Sequence, residues 1–93
     1  MKIIVPNKVK KFLEKQEKGD IRGVTKVVRF LMSDLSNAQN PASLPNAKKM
    51  RGYSKQSDNI WRWRVGQYRI IGDVKENELL IYIIEISTRE NAY

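Results

Sequence analysis

The run from Ile60 to Ile71, IWRWRVGQYRII, alternates apolar and basic residues, meets Gly66-Gln67, and alternates again. A period of two belongs to a half-buried strand, and a two-residue interruption with glycine first suits the type II′ turn of a tight hairpin. That turn sets the register: Val65 pairs with Tyr68, and Arg64 lies opposite Arg69. The pleat then sends Trp61, Trp63 and Val65, together with Tyr68 and Ile70, to one face, where they can pack against helices. Arg62, Arg64 and Arg69 go to the other. Like charges directly opposite each other on paired strands are destabilising, within the ~0.2–1 kcal/mol range of cross-strand pairs, unless an anion sits between them. Two readings of this face stay open. One is a site for a phosphate-bearing ligand; the other is a solvated face that blunts aggregation, with acids such as Asp73 or Glu85 pairing with the arginines.

Charge distribution favours an anionic partner. The chain carries a formal net charge of +8, and Asn46 to Arg69 holds seven basic residues against Asp58 alone. Lys48, Lys49, Arg51 and Lys55 precede the hairpin and are candidates to reach phosphates beside it, or to form a solvated loop. The chain has no histidine and no cysteine. Disulfides and thiolate metal sites are therefore excluded, and any catalysis has to use Tyr, Lys, Arg, Asp or Glu. The N-terminal MKIIVPNK lacks the apolar core of a signal peptide, and no apolar run nears the ~20 residues of a membrane span, so a cytoplasmic protein without membrane contact is expected.

The 93 residues suit one domain, spanning 1–93, with a single modest core. Lys2-Ile3-Ile4-Val5 is a short β-prone run stopped by Pro6, and Asn7 is placed to cap a helix marked by Val9, Phe12 and Leu13. Gly19-Asp20 breaks that helix. Val24, Val27, Val28, Leu31 and Leu35 then recur at helical spacing. Ser36 to Pro45 reads as a polar loop. Strands follow at about Ile60–Val65, Tyr68–Val74 and Leu79–Ser87, the last of them apolar on both faces and so suited to the sheet interior. The expected fold is α+β, in the order β-α-α-β-β-β: an N-terminal strand, a helical hairpin, and a three-stranded antiparallel meander forming one small sheet packed on the helices.

Three segments together resemble the RelE/ParE superfamily of toxin–antitoxin toxins, and within it the RelE-like branch that cleaves messenger RNA. They are Lys49-Met50-Arg51-Gly52, the hairpin Trp61 to Ile71, and Ile84-Glu85-Ile86-Ser87-Thr88-Arg89 with the terminal Tyr93. The resemblance covers nearly the whole chain, and its most specific part is the hairpin, which the superfamily shares. It implies an endoribonuclease that enters the ribosomal A site and cleaves messenger RNA by attack of the 2′-hydroxyl on the adjacent phosphate, without a metal or other cofactor. It also implies a cognate antitoxin partner. By position, Arg69 matches the family's arginine for phosphate and transition-state stabilisation, Arg89 an arginine that stabilises charge or the leaving group, and Tyr93 the C-terminal tyrosine that stacks on a base or assists proton transfer. Arg62 and Arg64 stand where the best-known members carry lysines. A guanidinium holds its proton to above ~pH 12, so these two can bind and stabilise but cannot act as bases. Two other functions use the same fold or charge: a ParE-like inhibitor of DNA gyrase, and a nucleic-acid- or antitoxin-binding module without turnover.

Overall fold

A computed structural model describes residues 1–88. The chain begins with strand β1 (Lys2–Ile4), followed by helices α1 (Asn7–Glu17) and α2 (Ile21–Arg29). Beyond Arg29 the helix widens into a π-type turn over Phe30–Leu35. After a short 3-10 turn at Pro41–Ser43 come β2 (Ala47–Lys49), β3 (Ile60–Val65), β4 (Tyr68–Lys75) and β5 (Leu80–Thr88). One sheet takes all five strands in the order β1-β5-β4-β3-β2, with β1 parallel to β5 and the other pairs antiparallel. The expected α+β arrangement is present, and one strand is added to it. β2, expected only as part of a basic segment, pairs with β3 through the register Ala47 to Trp63 and Lys49 to Trp61.

The hairpin adopts the expected register, Val65 with Tyr68 and Arg64 with Arg69. Gly66 sits at φ +59°, the left-handed value that the first position of a type II′ turn requires. On the helix side of the sheet, Trp63, Tyr68 and Ile70 are buried with Val9, Leu13, Val24, Val27, Leu31 and Leu35, and Trp61 and Val65 pack against that cluster. The Phe12 ring meets Tyr68 edge-on at 6.4 Å. Trp63 satisfies its indole by donating to the Pro41 carbonyl at 3.0 Å, which ties the polar loop to the core.

Two helix starts differ in chemistry. Asn7 is the first residue of α1 and does not cap it with its side chain; the Pro6 carbonyl instead accepts from the Val9 and Lys10 amides. At α2 the Asp20 carboxylate accepts from the Gly23 amide at 3.0 Å, and its other oxygen accepts from the Tyr68 hydroxyl at 2.9 Å. One aspartate thus caps a helix and joins the helical hairpin to the sheet. Among the described residues, no helix is long and apolar enough to cross a membrane.

Candidate functional site

The helices cover one face of the sheet, and the arginines of the hairpin lie on the other. Pairing across strands aligns Lys48 of β2, Arg62 of β3, Ile71 of β4 and Glu85 of β5 in one row, and Arg64, Arg69 and Ser87 in the next. A cleft of about 300 Å³ opens over these rows, lined by Lys48, Arg62, Arg69, Glu85 and Ser87 with Tyr53 and Met50 at its side. Among the described residues, three cations from three adjacent strands therefore share one concavity with one carboxylate. Arg62 and Arg69 are half-buried and both have partners, whereas Lys48 is exposed.

Tyr53 comes from the connection between β2 and β3, which is pinned at both ends. The Met50 amide donates to the Ile60 carbonyl at 2.9 Å, and the Ser57 hydroxyl donates to Asp73 at 2.9 Å. From that connection the Tyr53 hydroxyl donates to Oε2 of Glu85 at 3.1 Å. Burial, then the hydrogen bond to Glu85 and its charge, raise the Tyr53 pKa above the ordinary value of a phenol. The phenol remains a donor across the neutral range.

The remaining sequence candidates are dispersed. Arg64, although opposite Arg69, is exposed and lines a separate cleft of about 450 Å³ with Lys26, Arg29 and Asp34 of the helical layer. Lys49 alternates with Lys48 and pairs with Trp61; Lys49, Arg51 and Lys55 are exposed outside the arginine cleft. Arg89 and Tyr93 lie outside the described residues. Of the two acids named as partners for the arginines, Asp73 turns to Lys75 at 3.3 Å and to Ser57, while Glu85 enters the cleft.

Tyr53 has no counterpart in the sequence reading, because a lone tyrosine in a polar connection carries no periodic signal. Glu85 owes its place to a bulge. The ladder between β4 and β5 shifts at Ile71/Gly72, so that Ile71 faces Glu85 and Gly72 faces Ile83, with Ile84 as the extra residue. Ile81 and Ile83 are buried before the shift and Ile86 after it. An uninterrupted period of two would have turned residue 85 toward the core. The apolar doublet Ile83-Ile84 is the one sequence sign of this change of phase. Among the described residues, no group of acids is placed to hold a metal ion.

No protein-family model matches the sequence, and no curated protein matches it. Solved structures do. The archaeal RelE–RelB complex from Pyrococcus horikoshii contains a chain 23% identical, with a TM-score of 0.72, covering 98% of this chain and 97% of that one. The RelB–RelE antitoxin–toxin complex from Methanococcus jannaschii gives 24% identity and a TM-score of 0.66, covering 97% and 94%. The RelBE2 toxin–antitoxin complex from Mycobacterium tuberculosis gives 19% and 0.69, covering 95% and 96%. From its first strand to its last, the chain has the fold of RelE toxins.

Proposed function

We propose that this chain is the toxin of a type II toxin–antitoxin pair and that it cleaves messenger RNA in the ribosomal A site. The observation that carries the reading is the convergence of Lys48, Arg62 and Arg69 from β2, β3 and β4 on one cleft of the face the helices leave uncovered. A phosphodiester under attack by its neighbouring 2′-hydroxyl gathers negative charge on its non-bridging oxygens, and cations fixed in advance on a sheet stabilise that charge without reorganising. Arg69 and Arg62 are assigned to the scissile phosphate, and Lys48 to the backbone beside it. Arg89 and Tyr93 retain the roles that the family resemblance implies. Attack also requires the 2′-oxygen, the phosphorus and the departing 5′-oxygen in line. An open cleft on a small sheet supplies charge but no such constraint, so the ribosome is assigned the positioning of the RNA. The three structures compared above are toxin–antitoxin complexes, and a cognate antitoxin is the protein partner proposed here.

The test is cleavage of a defined message on purified ribosomes, with 5′ ends mapped by primer extension. Breaks within the A-site codon are expected with the wild-type protein, and none with Arg69→Ala or without ribosomes. An intact message on programmed ribosomes would refute the proposal.

A further inference from the structure

The arginine cleft contains the means to bind and stabilise a phosphate, but its guanidinium groups cannot take up a proton. In-line attack by a 2′-hydroxyl releases one. The carboxylate that lines the cleft is Glu85, delivered there by the extra residue Ile84 in β5. A bulge that re-aims one side chain is a recurrent device beside functional sites. Glu85 is oriented as well as present: Oε2 accepts the Tyr53 hydroxyl at 3.1 Å, and Tyr53 lines the same cleft. Among the described residues, the titratable groups that the surrounding elements bring to it are cations and that phenol, namely Lys48 on β2, Arg62 on β3, Arg69 on β4 and, in the adjoining hollow, Lys8 on α1. A carboxylate is the one kind of group in this set that is an available base at neutral pH.

We propose that Glu85 accepts the proton of the attacking 2′-hydroxyl, with Tyr53 as the residue that positions its carboxylate; this rests on the ribonuclease reading above. In the step, the bond from the 2′-oxygen to phosphorus forms as the bond from phosphorus to the 5′-oxygen breaks. The 2′-hydroxyl proton passes to Glu85, and the departing 5′-oxygen takes a proton from water. The products are a 2′,3′-cyclic phosphate and a 5′-hydroxyl. Tyr53 holds one carboxylate oxygen so that the other is turned to the substrate, and its raised pKa keeps it a donor to Glu85 and not a competing base.

The test is single-turnover cleavage of a defined message on programmed ribosomes by the wild type, Glu85→Gln, Glu85→Ala, Tyr53→Phe and Arg69→Ala. Ribosome binding is followed by co-sedimentation and folding by circular dichroism. Glu85→Gln should slow cleavage by about 10²–10⁴-fold, the usual contribution of a positioned general base, while still sedimenting with ribosomes. Glu85→Ala should regain rate as sodium formate is added at constant ionic strength, because the small carboxylate fits the vacated space; Arg69→Ala should not. Tyr53→Phe should lose about tenfold, the effect of one orienting hydrogen bond. If the wild type and Glu85→Gln cleave at similar rates, the proposal is overturned and the ribonuclease reading stands. Loss of ribosome binding by Glu85→Gln, or no response of Glu85→Ala to formate, also overturns it by assigning Glu85 to binding or structure. Should the Glu85 variants misfold, an unchanged rate in Tyr53→Phe overturns the proposal. If the wild-type protein leaves the message intact, the ribonuclease reading falls and Glu85 has no such role.

Discussion

Replacing Tyr68 by phenylalanine removes one atom from the tie between sheet and helices, and its cost should depend on pH in a calculable way. The Tyr68 side chain is 2% exposed, and its hydroxyl donates to the Asp20 carboxylate at 2.9 Å. A hydrogen bond to a charged acceptor contributes about 1.5–3 kcal/mol. This one borders a cleft open to water beside Gln67 and Gly19, so about 1–2 kcal/mol is expected near neutral pH. Burial first, then the hydrogen bond to Asp20 and its charge, push the Tyr68 pKa up to about 12 from 10.0. The unfolded chain therefore loses this proton at lower pH than the native protein does. Stability due to Tyr68 is complete below about pH 10 and declines between about 10 and 12, by at most about 1.4 kcal/mol per pH unit. Urea unfolding followed by tryptophan fluorescence should show the wild type ahead of Tyr68→Phe by about 1–2 kcal/mol at pH 7, and the two converging near about pH 11. Every other ionisable group is common to both proteins, so the difference isolates Tyr68. A gap of constant size across this range, or no gap at neutral pH, would show that the Asp20 contact does not hold the helices to the sheet.

Other substitutions separate the two faces. Trp63→Ala empties a fully buried site and removes the indole hydrogen bond to the Pro41 carbonyl; a loss of about 3–5 kcal/mol is expected in chemical denaturation. Arg69→Ala, on the uncovered face, should abolish cleavage while its melting curve stays within about 1 kcal/mol of the wild type. At Gly72 a methyl group would lie 2.9 Å from Ile81 and 3.0 Å from the Trp63 ring, so Gly72→Ala should destabilise by about 1–3 kcal/mol by overpacking. Leu79 is 68% exposed and stands at φ +54°. Leu79→Gly should raise stability by roughly 0.5–1 kcal/mol by relieving the left-handed strain, measurable as a higher melting temperature.

The hairpin was legible because two independent signals coincide in it: a strict period of two, and glycine at the turn position that needs a positive φ. The helical hairpin was legible from Val24, Val27, Leu31 and Leu35, buried as their spacing implies, whereas Val28 of the same stripe is 37% exposed. β2 was not. Ala47-Lys48-Lys49 offers one small apolar residue and no alternation, and it becomes a strand because the open edge of β3 supplies partners, with the Arg64 amide donating to the Asn46 carbonyl and Met50 donating to Ile60. The start of β5 was read one residue early for a related reason. Leu79 is apolar and looks like strand, but it closes the short turn Glu76–Glu78 in a left-handed conformation, leaving Leu80 to begin the ladder.

Glu85, named in the sequence as an acid able to pair with the arginines, reaches them through a change of phase that periodicity alone does not record. Two strands that alternate regularly confine every side chain to a predictable face, whereas one inserted residue reverses the assignment of all that follow. Up to Ile83, β5 turns its odd-numbered residues to the helices; from Glu85 onward it turns the even-numbered Ile86 there instead. The reversal serves both sides of the sheet. It lets Ile86 continue the buried stripe begun by Ile81 and Ile83, and it places Glu85 and Ser87 beside Arg62 and Arg69. Apolar contacts on the helix side thereby hold the backbone of β3, β4 and β5 in place without using the polar side chains. Those side chains are left to meet a charged ligand on strands whose positions are already set by Trp63, Ile70 and Ile83 behind them.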